Sequence, residues 1–369
     1  MIRGMMQMKR ITRTLTVISM LLSIALSGCA SVRTKIVYTV YPLGFLIERL
    51  AGDVVSYESI QENGIVQRAQ IRSDYEDVLA DAAVFFHIGQ LEPYLTMYMP
   101  KISAATDARD LSVLNAVYDF QRYTPVAANG EVTYIEGPYY KGKAFETLDI
   151  NPKDLYLWTD PIAMLSMAKD IRDWMCTFFP DDRPVFEENF SRLETDLINL
   201  DAQYQALATA NITNNRSIRF VSMTASFGNW QKTYGFEVYP VVLSKYGALP
   251  DAEQLALIKE RIKEDQVKYI VYEPNMTPDM VELFHDLQEE LQLTRVELNN
   301  LSSLTAEDME AGKDYLSIMY ENLQVLETMA EVRETVPAAD NTTEDSAEDA
   351  EPAETDDNTE EPKDQSDVG

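Results

Sequence analysis

The sequence predicts an α/β protein: two βα lobes with mainly parallel sheets, joined by a long rigid α-helix. Three observations carry that expectation. Short β-branched and aromatic runs alternate with helix-period segments on both sides of residue 200. Between the two sets, apolar residues fall at Phe186, Phe190, Leu193, Leu197, Leu200, Tyr204 and Leu207, a four–three alternation without a slip. The chain is 46% hydrophobic, and about 300 residues between its two atypical ends suffice for two cored domains.

In chain order, the first lobe opens with a predicted strand at 35–40 that leaves through Tyr41-Pro42-Leu43. A helix follows in which Phe45, Ile47, Leu50 and Ala51 share an apolar face up to Gly52. Further strands are expected at 54–61 and 83–87, the latter closed by Gly89, and 123–150 reads as loop or irregular hairpin. Pro184 suits the first turn of the long helix, where its missing N–H costs nothing. About 25 residues at 1.5 Å each give a rod of roughly 37 Å, long enough to serve as an interdomain spine. The second lobe has strand patterns at 218–222, 236–242, 267–271 and 294–298, with helices at 252–264 and 279–291. Thr277-Pro278 supplies the latter with a capping residue and a first-turn proline. A final helix is predicted from about 314 to 333, with Leu316, Met319, Leu323 and Leu326 inward. The expected divisions are 29–181 for the first lobe, 182–210 for the linker helix and 211–336 for the second lobe.

The ends differ from this body. Lys9, Arg10 and Arg13 precede an apolar run at 15–26, which closes in Leu26-Ser27-Gly28-Cys29. That pattern matches a bacterial lipobox: small residues admit a peptidase, and the thiol takes a diacylglyceryl group. Residues 1–28 are therefore expected to be a signal peptide, with Cys29 tying the chain to membrane lipid on the extracytoplasmic face. Cys176, the only other cysteine, leaves no intramolecular disulfide and reads as a buried apolar residue of a helix. Residues 337–369 hold thirteen Asp or Glu, one Lys and no aromatic, the composition of a disordered acidic tail. The formal charge is −30; residues 1–28 hold four basic and no acidic residues, so the chain from Cys29 carries −34. Such a body is a poor partner for nucleic acid and a better one for cations.

Several landmarks, in order, resemble the cluster A-I solute-binding proteins, the TroA-like zinc and manganese receptors of ABC importers. They are Thr39-Val40-Tyr41-Pro42-Leu43, the segment 82–93 ending Leu91-Glu92-Pro93, Leu157-Trp158-Thr159-Asp160-Pro161, the long helix, Tyr272-Glu273-Pro274, and Tyr315, Met319 and Asn322. The resemblance covers roughly 35–330. It implies a monomer working with an ABC permease and ATPase, and a divalent metal ion held between the lobes by three or four His, Glu or Asp ligands. The positions equivalent to those ligands are here Gln67 (or its neighbour Arg68), Tyr156, Thr224 and Asn299, with the carboxylates of Asp160 and Glu273 expected nearby. The chain has only two histidines, His87 in an apolar strand and His285 on a helix surface, at no spacing that presents two imidazoles to one ion. The structural alternative for Asp160 and Glu273 is loop capping and hydrogen bonding between lobes.

Two readings of the cleft stay open: an altered, oxygen-rich metal site, or no transition metal and another solute or accessory role. Neutral hydroxyls and amides suit calcium-like ions or organic solutes better than transition metals. A further alternative is a surface lipoprotein that reuses the receptor fold for adhesion. An enzyme is not expected, since there is no G-x-S-x-G elbow, no phosphate-cradling glycine loop and no metal-ligand pair.

Overall fold

The computed structural model describes residues 34–62, 64–112, 123–128, 131–136, 140, 143–145, 148–151 and 154–332. Cys29 and the acidic segment 337–369 lie outside them. The first sheet contains β1 (Lys35–Tyr38), β2 (Tyr57–Ser59), β3 (Ala82–His87) and β4 (Asp107–Asp110). Its spatial order is β2-β1-β3-β4 with every pair parallel. Helix α1 (Tyr41–Ala51) connects β1 to β2 and buries Phe45, Leu46, Ile47 and Leu50. It stops at Gly52, whose φ of +55° few other residues adopt cheaply and whose N–H reaches the Glu48 carbonyl. The 123–150 region holds a regular antiparallel hairpin, β5 (Tyr123–Ala128) with β6 (Glu131–Glu136).

Helix α2 (Pro161–Phe178) leads into α3 (Arg183–Thr213), the predicted spine, which is longer than its apolar pattern implied. Its 31 residues span about 46 Å. The seam is buried as spaced from Phe186 to Tyr204, then passes to Ala208 instead of Leu207. A 3.5-residue repeat drifts on a 3.6-residue helix, so the buried stripe slips by one position near its end.

Beyond α3, β7 (Arg216–Ser217) precedes a second parallel sheet. It is built from β8 (Arg219–Thr224), β9 (Glu237–Val242), β10 (Tyr269–Tyr272) and β11 (Thr294–Glu297), in the order β11-β10-β8-β9. Helix α4 (Gly228–Tyr234) lies between β8 and β9, α5 (Ala252–Glu264) before β10, and α6 (Pro278–Leu291) before β11. A capping box closes the start of α5, with Asp251 and Gln254 satisfying each other's backbone N–H. Thr277 holds the N-cap position of α6, but its hydroxyl makes no cap bond and donates to Asp279. The last helix, α7 (Tyr315–Thr328), ends five residues before the predicted 333. Glu331 and Val332 instead form β12, antiparallel to β7.

One continuous core runs from Ile36, Leu46 and Val84 through the α3 seam to Phe227, Trp230, Tyr315 and Met319. The spine thus packs along both lobes. A second core beneath the second sheet joins Val221, Tyr239, Ile258 and Phe284 to Tyr140 and Phe145, which precede α3 in sequence. Gln254 of α5 also donates to the Ala144 carbonyl, so Tyr140, Ala144, Phe145, Leu148 and Ile150 lie on the second lobe as a strap. Among the described residues no helix is long and apolar enough to cross a membrane.

Candidate functional site: the interlobe cleft

The lobes meet along two chemically different walls. The wall beside α3 is built on the turn Leu157–Thr159, which enters α2. Trp158 Nε1 donates to the Asn300 carbonyl at 2.7 Å, and Tyr315 Oη donates to the Trp158 carbonyl at 2.7 Å. Asn229 Nδ2 reaches the Tyr156 carbonyl at 3.0 Å and Trp230 Nε1 the Thr159 carbonyl at 2.8 Å. Trp158, Trp230 and Tyr315 are wholly buried. Asp160 closes this wall: one carboxylate oxygen accepts the Ile162 and Ala163 N–H groups at the start of α2, the other the Thr233 hydroxyl of the second lobe. Burial raises its pKa above the usual carboxylate value, against the pull of those donors.

The other wall is charged. Arg68, at the end of the turn Val66–Arg68, donates through Nε to the Gly247 carbonyl at 3.0 Å, and its Nη1 lies 2.8 and 2.9 Å from the two Asp279 oxygens. Lys245 Nζ pairs with Asp149 of the strap at 2.7 Å, which holds the ammonium above the ordinary lysine pKa.

Between the walls is a cavity of about 20 Å³, room for roughly one water-sized sphere. Gln67, Asp154, Tyr156, Ala225, Ser244 and Lys245 are among its lining residues. Two of the four sequence-predicted ligand positions, Gln67 and Tyr156, therefore come together here. Gln67 is buried, and among the described residues its Oε1 has no hydrogen-bond partner. Asp154 accepts the Tyr156 N–H at 3.0 Å.

The other two positions face elsewhere. Thr224, at the end of β8, gives both its N–H and its hydroxyl to Glu273, and its neighbour Ala225 meets the cavity instead. Asn299 turns toward α7 and the following loop, where it exchanges backbone hydrogen bonds with the Asn322 side chain and donates to Asp308 at 3.3 Å. The adjacent Asn300 is the one that reaches Glu273, at 2.7 Å. Glu273 is wholly buried, and desolvation raises its pKa against the donors from Thr224 and Asn300. Sequence reasoning missed Lys245, Ser244 and Asp154: the first two lie on a loop with no motif, and Asp154 precedes its motif by three residues.

His87 ends β3, stacked on Phe85, with Nδ1 accepting the Gly89 N–H at 3.2 Å; burial lowers its pKa, so it is neutral near pH 7. It lines an adjoining groove of about 450 Å³ with Glu92, Asp110 and Lys245, the last shared with the cavity. Burial pushes the Glu92 carboxyl up to about 7. His285 is exposed, and Cys176 is buried in α2. Among the described residues no group of three or more His, Cys, Asp or Glu is placed to hold a metal ion.

Known proteins place this architecture. The family model described as zinc-uptake complex component A, periplasmic (ZnuA), matches residues 36–329. The zinc-binding lipoprotein AdcA of Streptococcus pneumoniae is 25% identical over 323 residues, 86% of this chain and 60% of that protein. The high-affinity zinc uptake system protein ZnuA of Bacillus subtilis is 27% identical over 173 residues, 47% of this chain and 52% of its own length. This chain thus spans little more than half the length of either relative. In fold it is similar to the periplasmic zinc-binding protein TroA of Treponema pallidum, with a TM-score of 0.63 at 16% identity over 80% of this chain and 99% of that one. The laminin-binding protein Lmb of Streptococcus agalactiae gives 0.61 at 19% identity over 80% and 99% of the respective chains. With a match across both sheets and the helix between them, the chain belongs to the ZnuA family of metal-uptake binding proteins.

Proposed function

We propose that this chain is the lipid-anchored, extracytoplasmic binding component of an ABC-type uptake system, working with a permease and an ATPase, and that its cleft does not grip zinc or manganese as a transition-metal site would. The lipobox at Cys29 and membership of the uptake family support the first part. One observation carries the second: the 20 Å³ interlobe cavity is walled by Gln67, Tyr156, Ser244, one carboxylate (Asp154) and an ammonium (Lys245), with no imidazole.

Zinc is held by deprotonated, strongly donating ligands at about 2.0–2.3 Å, typically four of them. Neutral amide and hydroxyl oxygens are feeble substitutes, and a lysine in the wall opposes a dication. The cavity itself holds about one water, and an organic solute, which needs about 300–1,000 Å³, would have to use the adjoining groove of about 450 Å³. Equilibrium dialysis with metal analysis tests this. Purified protein should retain far less than one zinc or manganese per chain at micromolar free metal. Stoichiometric retention at or below that concentration would refute the reading.

A further inference from the structure

A cleft protein closes when something binds the closed form better than the open one, and the shift cannot exceed that difference in affinity. Usually the ligand supplies it by touching both lobes. Here the chain supplies such a bridge itself. Arg68 leaves the first lobe directly beside Gln67 of the cavity wall, and every acceptor recorded for its guanidinium belongs to the second. Nε lies 3.0 Å from the Gly247 carbonyl; Nη1 lies 3.2 Å from Thr277 Oγ1 and 2.8 and 2.9 Å from the two oxygens of Asp279.

We infer that Arg68 is a resident cation that latches the lobes, so that this chain adopts its closed form without cargo. Two features show a seat fitted to this side chain. Gly247 has φ +67°, and a Cβ there would lie 3.1 Å from Arg68 Cγ and 3.2 Å from Nε, so the loop is glycine-shaped against the arginine. Thr277 and Asp279 open helix α6, where the helix dipole disfavours a cation. The Asp279 carboxylate offsets that cost, and it is itself held below the usual carboxylate pKa by the Thr277 hydroxyl and Arg68. Alongside, Asp149 is tied to the second lobe, bound through its carbonyl to the Lys245 N–H at 2.9 Å and through its carboxylate to the ammonium.

Of the two residues aligned with the first ligand position, Gln67 lines the cavity and Arg68 does not, so the latch is tested separately from the reading of the cavity. Amide hydrogen exchange on the full chain, stripped with EDTA and then supplied with zinc, tests it at residues 244–249. Wild type should show the same protection in both conditions. Arg68→Met should exchange about tenfold faster there in both, while far-UV circular dichroism and the exchange of α3 stay at wild-type values. Asp279→Asn, close to isosteric, should move the same way by a smaller factor. Protection that rises in wild type on adding zinc would overturn the latch, as would an Arg68→Met protein that exchanges like wild type. Stoichiometric zinc by dialysis with unchanged exchange would instead sink only the reading of the cavity.

Discussion

The two walls of the cleft do the same topological job by opposite physics. Beside α3, Trp158, Tyr315, Asn229 and Trp230 join the lobes through neutral hydrogen bonds between largely or wholly buried groups. Breaking one strands a buried donor or acceptor, at about 1–3 kcal/mol each. The charged wall uses Arg68–Asp279 and Lys245–Asp149, whose side chains keep 26–54% of their exposure. Water can take over each of those partners, and such pairs are worth roughly 0–1 kcal/mol. The interface is therefore graded: one wall fixes the lobes as a unit, and the other decides whether the gap is shut.

The largest test of that grading is Trp158→Ala. It removes a wholly buried indole and its bond to Asn300, and should cost about 3–5 kcal/mol by urea denaturation. A loss under about 1 kcal/mol would mean that the wall beside α3 is not fixed. Tyr315→Phe deletes only the hydroxyl that the buried Trp158 carbonyl accepts, and should cost about 1–3 kcal/mol. Lys245→Met should change stability by less than about 1 kcal/mol, because its pair with Asp149 is largely solvated. If Lys245→Met proved as costly as Tyr315→Phe, the two walls would not differ.

The grading also explains what the sequence could and could not reveal. The α3 seam was legible because seven apolar residues at helical spacing report on local geometry alone. Helix α5 runs over the predicted 252–264, and its start is fixed by the Asp251–Gln254 capping box. The end of α7 was overrun because Met329 and Ala330 suit a helix, while pairing of Glu331 and Val332 with β7 is a tertiary event. The turn around Trp158 was recognisable as a motif, but its use as the lobe junction depends on Asn300 and Tyr315, about 150 residues away. At the cavity, Gln67 and Tyr156 were located, whereas Thr224 and Asn299 yield to their neighbours Ala225 and Asn300. Both lie where a strand has just ended or is ending, and there the inside–outside alternation no longer fixes which residue faces in. Arg68, Gly247 and Asp279 carry no local pattern, so nothing short of coordinates brings them together.

The smallest expected effect, and the sharpest separation of the walls, comes from acid. Asp279 is held below its ordinary pKa of 3.8 by the Thr277 hydroxyl and Arg68. A depressed carboxylate stabilises the fold fully above the unfolded value and loses that contribution as pH falls through the folded one. Asp160 has the opposite sign. Burial raises its pKa, so its protonated form is the one the fold favours, and acidification takes nothing from that wall. In a Lys245→Met background, which removes the second ion pair, protection at 244–249 should hold from neutral pH down to the ordinary carboxylate value and fall below it. Protection at 159–163 should persist through the same range, once intrinsic exchange rates are corrected for pH. Asp279→Asn should abolish the acid response at 244–249, because its partner for Arg68 no longer titrates. If both segments lost protection together, the walls would open as one unit and the grading would be wrong.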